Sequence, residues 1–279
     1  MFIHQIALVC QSKKITISEL TKASAALQKQ ATKDLSPVWG VQATVDVFQD
    51  ISDIPLGYWP VIIMDQLDEP GAAGYHDDKN HQPYALVGYS NSWTLTCSHE
   101  ICEMLVDPYG NKMKSGLSPN GKERVQYLVE VCDPCEDSSC AYFINGFLVS
   151  DFYTPEYFDS APSPNTKYSF KGSIKNPRQI LKNGYLSWYS PMDRQWHQAT
   201  FFGPRITTRI LKGMEAMEGS LRSRVDRLTR FSDLQTGITN KPLLKKQTSS
   251  LKISSNAGLQ MQDHWEQEIA LLMKPGSLR

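Results

Sequence analysis

Residues 98–108 read SHEICEMLVDP, and the rest of the chain is interpreted outward from them. A histidine, two glutamates and an aspartate sit on a short apolar segment that reads as helical. His99 and Glu103 are four apart, so on an α-helix they stack on one face, one turn apart. Two side chains at that spacing reach one metal ion, which is the mechanics of the H-E-x-x-H zinc signature. Glu100 falls about 100° further round the helix, where that signature carries its general base. Here Glu103 replaces the second histidine, and carboxylate oxygen is an acceptable zinc ligand at about 2.0–2.2 Å. The segment predicts a metal site with His99 and Glu103 as ligands and Glu100 as the catalytic carboxylate.

A catalytic zinc takes three protein ligands and keeps a fourth position for water, so a third ligand must come from elsewhere. Glu130, in LVEVCDP (128–134), is the preferred one, because the intervening chain leaves room for the helix to end and return. Asp107 competes, but eight residues of helical rise set it about 12 Å from His99 along the axis. Asp133 is the other alternative. The remainder of the segment is apolar (Leu95, Ile101, Met104, Leu105, Val106), so the helix is expected to pack into the core. Charges on a packed helix are costly unless paired or metal-bound. A buried hydrogen-bond network without metal is the competing reading. His76 and Asp77, in GYHDDKNH, are candidates to orient a substrate, and Tyr153, Tyr185 and Tyr189 are candidates to donate to an oxyanion. For each of these five, ordinary solvation or packing is the plainer explanation.

The 279 residues suffice for one large domain, or one with an appendage. Acidic and basic residues balance at 29 each, so no global field argues for nucleic acid or a membrane surface. No apolar run approaches the roughly 18 residues of a membrane span. The start, MFIHQIALVCQSKK, has neither a basic n-region nor a small-residue cleavage site, so cytoplasmic residence or export by a non-Sec route is expected. Six cysteines (Cys10, Cys97, Cys102, Cys132, Cys135, Cys140) do not make a disulfide scaffold at this length. Cys132, Cys135 and Cys140 lack the second pair that a structural zinc usually needs, which leaves free thiols or a local disulfide.

Strands are expected at 3–9, 41–48, 60–64 and 84–89, the last at a sheet edge. A helix over 19–32, capped by Ser18, carries an apolar stripe of Leu20, Ala23, Ala26 and Leu27. The Gly-, Asp- and Pro-rich stretch 65–80 reads as a loop. Ser92 or Thr94 caps the motif helix, and Pro108 disfavours helix at Asp107. Residues 125–131 are apolar and fit strand or helix equally. Aromatic-rich residues 141–202 read as short strands and hairpins. Beyond them, periodic apolar residues predict an amphipathic helix over 206–231, then a polar linker over 232–260 and a last helix at about 260–273. The fold class is α+β: a mixed sheet packed on the motif helix, with a helical C-terminal extension.

SHEICEMLVDP, with LVEVCDP downstream and ALQKQATKDLSPVWGVQATV (26–45) upstream, resembles a family of uncharacterised zincin-like predicted metallopeptidases of bacteria and phages. The resemblance covers roughly residues 1–203, which sets the expected domain boundary between 203 and 204. It implies a zincin-like fold, His99 and Glu103 as ligands and Glu100 as the catalytic carboxylate, without fixing a substrate; a peptide or protein substrate is the expectation for hydrolysis at such a site. Glutamate at the second histidine position departs from the usual pattern. A second anionic ligand makes the metal a weaker Lewis acid and favours Mn, Fe or Ca beside Zn. A catalytically silent binding or assembly module is the alternative, with residues 204–279 open to self-association or a protein partner.

Overall fold

A computed structural model of the chain describes residues 3–67 and 71–236, of which 230–236 are described by backbone alone. Its first half builds a five-stranded sheet from β1 (His4–Cys10), β2 (Ala43–Phe48), β3 (Tyr58–Met64), β4 (Gly74–Lys79) and β5 (Gln82–Gly88). The spatial order is β2-β1-β3-β5-β4; the pairings are parallel except for β4, which runs antiparallel to β5 at the edge. The central strands are continuous apolar runs such as ALV and VIIM because both faces are covered. Helix α1 (Ile17–Lys29) covers one face with the predicted stripe. Its cap is Thr16 rather than Ser18: the Thr16 side chain accepts from Glu19 N at 3.2 Å. A widened π-type turn (Gln30–Leu35) and the single-turn α2 (Ser36–Trp39) follow, closed by Gly40 at φ 68°.

Two expectations in this half are corrected. The stretch 65–80 is not all loop, since it contains β4, and 84–89 is therefore not the edge. Asn80 and His81, both at positive φ, form the two-residue turn that joins β4 to β5. The signal was concealed because GYHDDK lacks the apolar alternation of a half-buried strand.

The motif helix, α3 (Trp93–Val106), follows Ser92, one of the two expected cap positions, although the Ser92 side chain makes no capping hydrogen bond, and it packs against β4 and β5. It stops at Asp107, before Pro108. The second half forms an antiparallel sheet in the order β12-β11-β10-β7-β6. Its strands are β6 (Met113–Leu117), β7 (Arg124–Leu128), β10 (Tyr185–Ser190), β11 (Gln195–Thr200) and β12 (Thr207–Ile210). The ambiguous window at 125–131 is thus mainly strand. Between β7 and β10 lies a small hairpin of β8 (Tyr142–Ile144) and β9 (Phe147–Val149), turning at Asn145-Gly146, both left-handed. The main apolar core joins α1, α3 and the strands to Tyr153, Tyr157 and Tyr168.

The chain beyond residue 203 does not begin with the expected helix. Residues 207–210 pair with β11, and a helix, α4 (Leu221–Thr236), starts only at Leu221. The boundary drawn between 203 and 204 therefore cuts a continuous sheet. Ile206 and Ile210 fit a helical period in the sequence, yet Thr207, Thr208 and Ile210 are β-branched and exposed, which suits an edge strand. Val225 and Leu228 of α4 pack with Leu128, Trp196 and Leu211. The predicted linker over 232–260 overlaps the described chain only at its start, which is still α4, and the helix at 260–273 lies outside the described residues. Among the described residues the six cysteines are free thiols, and no helix is long and apolar enough to cross a membrane.

Candidate metal centre

Four elements deliver charged side chains to one buried place. Helix α3 brings His99, Glu100 and Glu103. Its position is fixed by Thr94 Oγ1, which donates to Leu148 O at 3.0 Å, and by Ser98 Oγ, which accepts from Ser150 N at 2.7 Å. The edge strand β4 brings His76, only 1% exposed. The segment after β7 brings Glu130 and, in a 3₁₀ turn, Asp133. That turn lies so close to Gly184 that a Cβ there would stand 2.6 Å from Asp133 O and 2.7 Å from Pro134 O.

The fourth element is the start of α4, which the sequence reading had assigned to a separate extension. Ser220 Oγ accepts from Ser223 N and donates to Asp77 Oδ1 at 3.3 Å; Leu221 N donates to Asn111 Oδ1 and Arg222 N to Gly110 O. These bonds aim Arg222 inward, where 3% of it remains exposed. Its Nη2 lies 3.1 Å from both Glu100 Oε2 and Glu103 Oε2, and its Nε donates to Glu130 Oε2 at 2.9 Å. Nη1 donates to His76 O at 2.7 Å and lies 3.3 Å from Asp226 Oδ2, one turn along α4.

Glu103 is the hub. Its Oε1 accepts from Cys132 N at 3.1 Å, while its Oε2 faces His99 Nε2 at 3.2 Å and His76 Nδ1 at 3.9 Å besides Arg222. His99 Nε2 also lies 3.4 Å from Asp133 Oδ1, and His76 Nδ1 lies 3.5 Å from Glu100 Oε2. The other ring nitrogen of His76 sits 3.2 Å from Asp107 O. Four buried polar atoms lack a hydrogen-bond partner among the described residues: Glu130 Oε1, Asp133 Oδ2, His76 Nδ1 and Tyr153 Oη. A small cavity bordered by Glu130, Asp133, Tyr185 and Val225, thus by two of these residues, has room for about one water-sized particle.

The electrostatics follow from burying five carboxyl groups beside one guanidinium and two imidazoles. Burial opposes the ionised form of Glu103, but His99 and Arg222 outweigh it and hold that carboxyl well below its ordinary range. Glu100 is likewise lowered against burial, chiefly by Arg222. Burial and the Glu103 charge push Glu130 and Asp133 far up, towards the neutral acid. Burial works against a charged His99, yet Glu103 and Asp133 raise its pKa well above 6.5. Neighbouring carboxyls driven in opposite directions mark a cluster short of positive charge.

Three-donor groups with all donor atoms within 4.8 Å of one another are Glu103–Glu130–Asp133, His99–Glu103–Cys132, His99–Asp133–Glu136 and His76–Glu100–Glu103. The expected ligands are all in the cluster, though His99 and Glu130 fall in different groups, each sharing Glu103 and each meeting Asp133. Asp107 is turned away: its carboxylate accepts from Asn111 N and Lys112 N and closes the turn after α3. Asp77 anchors Ser220 rather than facing the cluster. Tyr153 is fully buried, stacked on Tyr157 with ring centroids 4.4 Å apart, and its unpartnered hydroxyl belongs to the buried set above. Tyr185 Oη donates to Asp226 Oδ1, and Tyr189 packs against Trp196.

Arg222 and Asp226 escaped the sequence reading. One signal was available: Arg222, Val225, Asp226 and Thr229 share one face at i, i+3, i+4 and i+7, which places both charges on the stripe that α4 buries. No family model, curated protein or solved structure matches the chain.

Proposed function

We propose that this cluster is a divalent-cation site and that the chain is a metal-dependent hydrolase of peptides or related amides. The observation that carries the reading is the oxygen set of Glu103, Glu130 and Asp133, gathered within 4.8 Å, with His99 Nε2 3.2 Å from Glu103 and 3.4 Å from Asp133. Glu130 Oε1 and Asp133 Oδ2 are buried without partners, as oxygens awaiting a cation would be. His99, Glu103 and Glu130 are the proposed ligands, with Asp133 as a fourth donor. One imidazole with several carboxylates is a hard donor set, suited to Mn, Fe or Ca as well as to Zn. Such an ion, when bound, supplies a water of lowered pKa. Glu100, next to His99 on α3, is the proposed general base for that water.

A mixed sheet packed on the helix that carries H-E-x-x-E supports the zincin-like reading of the fold. A second reading, a metal-binding module without catalysis, is favoured by one observation. Glu100 is buried and its Oε2 is held by Arg222, so the base is not free in this arrangement. Elemental analysis of protein purified without chelator tests the shared premise, with about one equivalent of metal expected and loss of that metal in His99→Ala. Absence of metal, together with no melting shift in Zn or Mn either for wild type or for a folded variant without the Arg222 charge, refutes it, since an ion bound only by the folded state must stabilise that state. Glu100→Gln then separates the readings. The hydrolase reading expects retained metal and cleavage slower by about 10²–10⁴-fold on a peptide library. Wild-type protein that binds metal but cleaves nothing supports the silent module.

A further inference from the structure

We infer that Arg222 is a displaceable internal cation, which competes with a divalent metal ion for Glu100, Glu103 and Glu130 and holds the site in a latent form. This rests on the metal reading above. The guanidinium takes the charge-neutralising place among the carboxylates that an ion would take. It occupies Oε2 of all three glutamates at 2.9–3.1 Å. It also satisfies the cluster only in part, leaving Glu130 Oε1 and Asp133 Oδ2 unpartnered. Those two oxygens, on residues grouped with Glu103, offer an ion a first foothold. A doubly charged ion settling there would draw the glutamates and repel the guanidinium.

The geometry of α4 makes this exchange specific to its first turn. Arg222 is brought in by three polar bonds at 219–222: Ser220 to Asp77, Leu221 N to Asn111 and Arg222 N to Gly110. Gly110 allows the approach. It sits at φ 57°, and a Cβ there would come within 2.9 Å of Arg222 Cβ and 2.8 Å of Ser220 Oγ. The apolar grip of α4 is Leu221 in that first turn and, further along, Val225 and Leu228. Withdrawal of Arg222 therefore requires the first turn to loosen while the later turns remain seated. The same step frees Glu100, so metal uptake and release of the base are one event.

The test measures Mn²⁺ and Zn²⁺ binding to the full chain by calorimetry, for wild type, Arg222→Gln and Arg222→Lys. Coupled binding events commonly differ by about 5–150-fold, so Arg222→Gln should bind at least about tenfold more tightly than wild type. Arg222→Lys, which keeps the charge, should stay closer to wild type. A second measurement needs no variant: metal added to wild type should speed amide exchange at 221–225, against slower exchange in α3. Tighter binding in Arg222→Gln, including binding only in that variant, supports the proposal. Where that variant does not fold, faster exchange at 221–225 supports it and unchanged or slower exchange overturns it. Equal or weaker binding in a folded Arg222→Gln overturns the competition and leaves the metal reading standing. Absence of binding in wild type and folded variants alike overturns both.

Discussion

Glu103→Gln is the substitution that discriminates most sharply between a charge hub and a packed polar residue. The amide can keep the Oε1 bond to Cys132 N at 3.1 Å. Its other end then presents N–H groups towards His99 Nε2 at 3.2 Å and Arg222 Nη2 at 3.1 Å, so donors face donors. Removing one partner from a fully buried ion pair costs about 3–5 kcal/mol. Glu103 is 0% exposed, so solvent offers no relief. Burial first and the Glu103 charge second push Glu130 and Asp133 up, so losing that charge relieves part of their strain and offsets part of the cost. The expected net cost is therefore near the lower end, about 3 kcal/mol. At about 2–4 °C per kcal/mol for a chain of this size, melting should fall by about 6–12 °C in chelator-treated protein. Asp65→Asn is the internal control. Its ion pair with Lys14, at 3.2 Å, is more than half exposed on both sides, so its effect should stay within about 1 kcal/mol. Thermal denaturation followed by circular dichroism checks both. A melting point for Glu103→Gln within about 2 °C of wild type would mean that the hub is not electrostatically coupled as described.

Two further substitutions probe how the scaffold holds the cluster. Ser98→Ala leaves the buried Ser150 N without its acceptor at 2.7 Å and should cost about 1–3 kcal/mol by urea denaturation; a loss below about 0.5 kcal/mol would show that another acceptor substitutes. Gly184→Ala drives a methyl into the backbone carbonyls of Asp133 and Pro134 and should cost about 1–3 kcal/mol while weakening metal uptake, because the turn that carries Asp133 must shift; unchanged stability and uptake would refute that link.

How much was legible in advance depends on where each signal lies. The motif helix is legible almost to its ends, with Ser92 or Thr94 as alternative starts and Pro108 as its stop, and its i, i+4 pair shares one face. Glu130 and, as its alternative, Asp133 are legible as candidates because the chain after α3 leaves room for the helix to end and return, although 125–131 fits strand or helix equally. The central strands were visible as unbroken apolar runs. Strand β4 was not, since its identity comes from pairing with β5 across a tight turn, and half-buried Asp77, Asp78 and Lys79 break any apolar alternation. Tertiary pairing overrode local composition there.

The harder failure was Arg222, and it has a physical cause. Five arginines lie between 205 and 227, and the stripe shared by Arg222, Val225, Asp226 and Thr229 marks a buried face of α4 without saying which carboxylates that face meets. What selects Arg222 is the electrostatic demand of carboxylates placed by α3 and β7, from 92 to 122 residues earlier in the chain. A long-range charge balance has no period and no spacing for a sequence pattern to register. The same reasoning locates the weakness in treating the region beyond 203 as an appendage. A chain ending there would lose β12, the Val225 and Leu228 contacts and the counter-charge of the cluster together. Glu100, Glu103 and Glu130 would then be left to each other and to the imidazoles. Like charges so close in a dry site are tolerated only by taking up protons or a cation. The carboxylate cluster and the first turn of α4 therefore have to be read as one functional unit, although the motif itself occupies only five residues.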